Sequence, residues 1–195
     1  MAEKEKSKKR TTDKWKKKIG YTIYAPEEFD RKEIGETIAT KDDSLLGRVI
    51  EVSVGRLLNQ PKRLQVTIYF KINEVKGNKA YTTTVGHEIK EAYLRRLIRR
   101  RGSKIEIIRD IQTKDGAKVR VKTLTVCGKK LKKSKETAIR KIMTEQIDKL
   151  NNETDSNNII PEIVLGNILD KMTKDVQKIA PTKKVEIIKS RIIKS

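Results

Sequence analysis

Between Leu64 and Ile72 the side chains alternate without a break. Leu64, Val66, Ile68, Phe70 and Ile72 are apolar; Gln65, Thr67, Tyr69 and Lys71 between them are not. A period of two sends successive side chains to opposite faces of a strand, whereas a helix would scatter these five apolar groups around its axis. The stretch therefore reads as a strand with one buried face, and such a strand needs partners to be stable. Lys76-Gly77-Asn78-Lys79 reads as a turn into a second strand beginning at Ala80–Val85, so the two form a hairpin. A second hairpin is predicted from 104–111 and 117–126 around Asp115-Gly116, with Val119 and Val121 alternating with Arg120 and Lys122. Residues 46–54, carrying Ile50, Val52 and Val54, predict an earlier strand, and 184–193 a last one.

Helical spacing occupies three segments. Over 88–100 the apolar stripe is Ile89, Ala92, Tyr93 and Leu97, and Gly102 fits a C-terminal stop. Over 136–150 it is Ile139, Ile142, Met143, Ile147 and Leu150, with Ser134 as the cap. Over 159–179 it is Ile160, Val164, Ile168, Leu169, Met172 and Val176, with Pro161 in the first turn. Residues 19–36 read as an irregular segment whose Tyr21, Ile23, Tyr24, Pro26 and Phe29 plug the core, and 151–158 as a polar linker. The expected order is β-β-β-α-β-β-α-α-β, with five to six strands and no internal repeat. The fold class is α+β: an antiparallel β-barrel-like core with about three flanking helices. Residues 1–18, with nine basic groups, three acids and Trp15 as the one anchor, read as a basic flexible arm ahead of a single domain over 19–195.

Charge narrows the partners. The chain carries 47 lysines and arginines against 26 acids, a net charge of +21. The cations come in three clusters. The arm holds Lys8, Lys9, Arg10, Lys14, Lys16, Lys17 and Lys18. The helix over 88–100 ends in Arg95, Arg96, Arg99, Arg100 and Arg101. A loop holds Lys129, Lys130, Lys132, Lys133 and Lys135. Such a field repels itself until a polyanion supplies counter-charge. Arg95 with Arg99, and Arg96 with Arg100, stand four apart and would share helix sides. Guanidinium groups clamp phosphate oxygens in pairs and stack on bases, so this cluster points to phosphate contact. Aromatic residues make up only 4% of the chain, which argues against a stacking platform for single strands. No zinc-finger, leucine-zipper or RNP1 pattern is present, so recognition of folded RNA by shape and backbone is favoured. Residues 151–170 hold four acids and no base, and this stretch is expected to face away from the polyanion.

Chemistry is weakly signalled. His87, the only histidine, reads as a loop residue closing a strand, and Cys127, the only cysteine, as a small buried apolar residue that cannot form an intramolecular disulfide. A His87–Cys127 nucleophile pair and a magnesium nuclease site built from Glu88, Glu91, Glu106, Asp110 and Asp115 are the enzymatic alternatives; a DNA-compacting protein is the third reading. The glycines fit no phosphate-cradling loop, no cofactor is expected, and no apolar run suits a secretory leader or a membrane span.

An ordered set of short segments adds a family resemblance. It comprises Tyr21-Thr22-Ile23-Tyr24-Ala25-Pro26 with Phe29, Ile34-Gly35-Glu36-Thr37, Leu46-Gly47-Arg48-Val49-Ile50-Glu51-Val52, Val85-Gly86-His87-Glu88 and Tyr93-Leu94-Arg95. Arg99-Arg100-Arg101, Thr113-Lys114-Asp115-Gly116 and Ile139-Arg140-Lys141-Ile142-Met143 complete it. In this order the chain resembles the archaeal and eukaryotic small-subunit ribosomal protein family S-three-Ae. It departs in having Ile19-Gly20 where the family pattern has a tryptophan, and Trp15 stands upstream. The absence of a long C-terminal extension makes the resemblance closest to archaeal members. The resemblance implies a β-barrel-like core and a cytoplasmic, ribosome-bound protein without enzymatic activity. It implies a position on the small-subunit platform near the mRNA exit. The implied partners are small-subunit rRNA, neighbouring small-subunit ribosomal proteins and the mRNA near its exit, with no membrane.

Overall fold

The computed structural model describes residues 17–150, 155–165 and 168–194. The chain opens with a hairpin, β1 (Ile19–Tyr24) and β2 (Glu33–Ala39). Next come β3 (Val49–Ser53), a single helical turn α1 (Val54–Leu57), and the long hairpin β4 (Val66–Lys76) and β5 (Lys79–Ile89). Helix α2 (Glu91–Leu97) leads into the hairpin β6 (Lys104–Gln112) and β7 (Lys118–Cys127). Three helices come next, α3 (Lys133–Asp148), α4 (Ser156–Leu165) and α5 (Ile168–Gln177), before β8 (Thr182–Lys194).

Both hairpins predicted from alternation are present, each turned by a glycine in the left-handed region, Gly77 at φ +59° and Gly116 at φ +75°. Within β4 the alternation is literal: Ile68, Phe70 and Ile72 are buried and Lys71 is exposed, while Leu64 lies outside the strand, exposed. Burying a side chain such as Phe70 is worth about 1.5–3 kcal/mol. The Phe70 ring meets Phe29 edge-on, with centroids 5.6 Å apart.

The barrel expectation is corrected. The strand order β2-β1-β5-β8-β7-β6, with β3-β4 attached to β5, is an open eight-stranded sheet whose ends do not meet. The sheet is also mixed, because β1 runs parallel to β5 from Thr22↔Lys79 to Tyr24↔Tyr81. One edge of β5 is shared: β1 takes its first residues and β8 takes Gly86, His87 and Glu88. The C-terminal strand thus wedges between β5 and β7, a placement that only long-range pairing decides. Among the described residues there are five helices rather than about three. The stretch 159–179 is broken into α4 and α5, and Pro161 sits inside α4 rather than in its first turn. The segment 19–36, read as irregular, is the β1–β2 hairpin, although Tyr21, Ile23 and Phe29 are buried as expected.

Helices α3, α4 and α5 cover one face of the sheet. Ile139, Met143, Ile147, Ile159, Ile163, Met172 and Val176 meet Ile105, Ile107, Val119, Val121 and Val185 there. Helix α2 lies on the opposite face, where Leu94, Leu97 and Ile98 pack on Leu124, Val126 and Ile188. Two faces of one sheet therefore separate the acids Glu162 and Asp170, exposed on α4 and α5, from the arginine segment. No helix among the described residues is long and apolar enough to cross a membrane.

Candidate nucleic-acid interface

The predicted arginine helix is shorter than its periodicity suggested. His87 to Ile89 continue β5, because they pair with β4 on one side and, in part, with β8 on the other. Helix α2 stops at Leu97, and Ile98 is already extended. Arg95 and Arg96 stay on the helix, whereas Arg99, Arg100 and Arg101 leave it, so the four-apart pairing does not form. A close backbone contact at Gly102 forces this turn. Arg101 takes φ +66°, and a Cβ on Gly102 would lie 2.6 Å from the carbonyl oxygen of Cys127. Only glycine lets this backbone approach the end of β7 so closely.

That approach brings two of the charge clusters together. Ser103 N–H donates to the Lys129 carbonyl (3.3 Å), and Cys127 N–H donates to the Ser103 carbonyl (2.9 Å). The Ser103 hydroxyl, buried, accepts from Leu131 N–H (2.9 Å) and donates to the Glu136 carboxylate (3.1 Å). One serine therefore ties the arginine segment, the lysine loop and the first turn of α3. The lysine loop in turn opens α3, which starts after Lys132 without a side-chain cap; Ser134 lies inside the helix and does not cap it. Lys132, Lys133 and Lys135 crowd the positive end of the helix dipole. That sign is unfavourable for the isolated protein and attractive to an anion.

The cations of this rim lack acid partners. Arg99, Arg100, Arg101, Lys129, Lys130, Lys132, Lys133 and Lys135 are exposed and make no ion pair among the described residues. Arg96 rests over the Tyr93 ring at 5.7 Å, and the Tyr93 hydroxyl reaches Glu186 on β8 at 3.3 Å, which seats α2 on the sheet. Arg95 alone of the cluster is paired, with Glu91 at 2.8 Å.

Of the arm, only Lys17 and Lys18 are described, and they stand away from this rim. Lys8, Lys9, Arg10, Lys14 and Lys16, with Trp15, lie outside the described residues. Lys17 and Lys18 lead into β1, which runs beside the beginning of β5, whereas α2 comes after its end. Eleven residues of strand, roughly 35 Å, separate the two ends. Lys18 instead borders Lys41 and Arg48, two cations outside the three charge clusters. The register Ile19↔Ala39 places them there, and a recognised β1–β2 hairpin would have revealed them.

The enzymatic alternatives dissolve in the geometry. His87 is a buried strand residue, not a loop residue. Its Nε2–H donates to the Ile187 carbonyl (3.0 Å), and its Nδ1 accepts from the Ser190 hydroxyl. Burial pushes its pKa down to about 4, so the ring is neutral and structural. Cys127 pairs with Thr182, eight residues along β8 from the Ser190 that His87 faces, and burial raises its thiol pKa. Glu88 is held by Lys189 (2.9 Å), Glu91 by Arg95, Glu106 by Lys104 (2.7 Å) and Lys122 (3.3 Å), and Asp110 by Arg120 (2.7 Å). The hydrogen bond from Lys104 draws the Glu106 pKa down, and that from Arg120 does the same for Asp110. Among the described residues no three His, Cys, Asp or Glu side chains gather into a metal site.

Fold and site together present an open mixed sheet edged by a rim of cations without acid partners among the described residues. The Ribosomal S3Ae family model matches residues 6–195. The small ribosomal subunit protein eS1 of Methanococcus vannielii is 39% identical over 188 residues, spanning 96% of this chain and 86% of that protein. The protein of the same name from Methanococcus maripaludis is 37% identical, over 96% of this chain and 84% of its own length. That of Saccharolobus islandicus is 38% identical over 182 residues, 93% of this chain and 88% of that protein. The chain belongs to the Ribosomal S3Ae family, and all three relatives are archaeal.

Proposed function

We propose that this chain is a structural constituent of the small ribosomal subunit that binds folded rRNA through its phosphates. The observation that carries the reading is the convergence at Ser103 of two cationic segments whose side chains lack acid partners. Arg96, Arg99, Arg100, Arg101, Lys129, Lys130, Lys132 and Lys133 form the principal contact, assisted by the uncapped start of α3. Lys17 and Lys18 mark a second contact at the far end of β5, with Lys41 and Arg48 extending its track, and the arm cations Lys8, Lys9, Arg10, Lys14 and Lys16 add phosphate contacts of their own. Arg95, tied to Glu91, contributes less. The family resemblance supports a position on the platform near the mRNA exit, neighbouring ribosomal proteins and mRNA as further partners, and a ribosome-bound protein in the cytoplasm.

Salt-dependent binding tests the reading. Each neutralised phosphate contributes about 0.7 to 0.9 to the slope of log affinity against log salt. Replacing Arg99, Arg100 and Arg101 by alanine should weaken binding to small-subunit rRNA fragments and flatten that slope by about 2 to 3. An unchanged slope would show that these arginines are only a solvated face. Equal affinity of the wild type for duplex DNA and for rRNA would favour a general compacting protein instead.

A further inference from the structure

The outer face of the β6–β7–β8 sheet is only half covered. Helix α2 lies on Leu124, Val126 and Ile188, and beyond it the face is open. The strand register puts like charges opposite one another there, Lys122 against Lys189 and Arg120 against Arg191. Directly opposed like charges destabilise a ladder. Three carboxylates flank the block: Glu88 on Lys189, Glu106 on Lys122 and Asp110 on Arg120. Of these four cations only Arg191 has no acid partner among the described residues. Beside the block, Ile108 and Ile193 are 58% and 51% exposed, and with the four cations they line a trough of about 410 Å³.

We infer that this open face docks an extended, acidic segment of another protein chain, with an aliphatic side chain between Ile108 and Ile193 and a carboxylate on Arg191. Charge complementarity selects the acid, since the opposed cations have one more charge than their flanking carboxylates can balance. The isoleucines select a protein over RNA: a phosphate backbone offers nothing apolar for Ile108 and Ile193, whereas a peptide supplies an aliphatic side chain together with a carboxylate. The loops around Ser103 show the contrasting pattern of free cations. This inference stands on its own residues and is independent of the rRNA reading.

Fluorescence anisotropy of the full chain tests it, with a labelled decapeptide of alternating glutamate and valine as probe and one of alternating glutamate and serine as control. The valine peptide should bind at least about tenfold more tightly than the serine peptide, since a buried aliphatic group is worth roughly that factor or more. Arg191→Ala and Ile108→Ser should each weaken its binding several-fold and leave affinity for an rRNA fragment unchanged. The variant with Arg99, Arg100 and Arg101 replaced by alanine should bind the peptide like the wild type and rRNA more weakly. No peptide binding, equal binding of the two peptides, or peptide binding lost with the loop arginines would overturn the inference. So would loss of rRNA affinity in Arg191→Ala with peptide binding intact, which would make the face an RNA surface.

Discussion

Ser103→Ala separates the two things that hold the basic rim together, its charges and its scaffold. The substitution changes no charge and keeps the Cβ. It removes a hydroxyl that accepts from Leu131 N–H at 2.9 Å and donates to the Glu136 carboxylate at 3.1 Å. A neutral hydrogen bond contributes about 1 kcal/mol and one to a charged partner about 1.5–3 kcal/mol. Leu131 and Glu136 are half-buried, so water replaces part of the loss. The net cost is about 2 kcal/mol, which for a chain of this size lowers Tm by roughly 4–8 °C. The functional effect is distinct. Every cation remains, so the salt slope of rRNA binding should stay within about 0.5 of the wild-type value. Affinity should nonetheless fall, by roughly three- to thirtyfold, because the arginine segment and lysine loop must be ordered on the RNA. Filter binding across a salt series on wild type and variant measures both quantities. Unchanged affinity in a destabilised variant would refute the idea that Ser103 makes one site of two loops; a slope falling by about 2 or more would show that contacts, not their arrangement, were lost.

Three further outcomes concern the fold. A Cβ on Gly86 would stand 2.4 Å from the Ser190 carbonyl oxygen, so Gly86→Ala should part β5 from β8 and cost upwards of about 3 kcal/mol in denaturant unfolding; a cost under about 1 kcal/mol would mean that this junction yields easily. Burial lowers the folded-state pKa of His87 to about 4, below the 6.5 of the unfolded chain, so protonation favours unfolding. The His87 contribution is complete above about pH 6.5 and declines by up to about 3 kcal/mol as pH falls to about 4; His87→Gln should remove that portion of the pH dependence, and identical curves for both proteins would disprove it. Met143, fully buried on α3 against Thr125, should cost about 2–5 kcal/mol as Met143→Ala, read by thermal unfolding, and a loss below about 1 kcal/mol would place it outside the core.

What the sequence made legible was local. Unbroken alternation and a turn glycine specify the β4–β5 and β6–β7 hairpins, and the Ile139, Met143, Ile147 stripe specifies α3. The β1–β2 hairpin escaped because residues 25–32, with a helical turn of their own, separate the strands, so no tight-turn pattern marks it. His87 to Ile89 fit a helical stripe as well as a strand, and pairing with β4 and β8 decided between them. Barrel closure depended on where β8 inserts, which has no local signal. The three charge clusters were visible, but which of them meet was not drawn from the sequence. The second hairpin decides it: the arginines precede β6 and the lysines come after β7, so antiparallel pairing brings its open ends together. Ser103, uncharged and inconspicuous in sequence, gained its role only through that pairing.

The central claim is that the rim around Ser103 lies on rRNA phosphates. Ultraviolet crosslinking of the purified native small subunit, with peptide-level mapping of the attached nucleotides, tests it most directly. Crosslinks from peptides spanning 96–103 and 128–133 to the same region of rRNA are the predicted result. Peptides from both loops recovered free of RNA, while other parts of the chain carry nucleotides, would contradict the account.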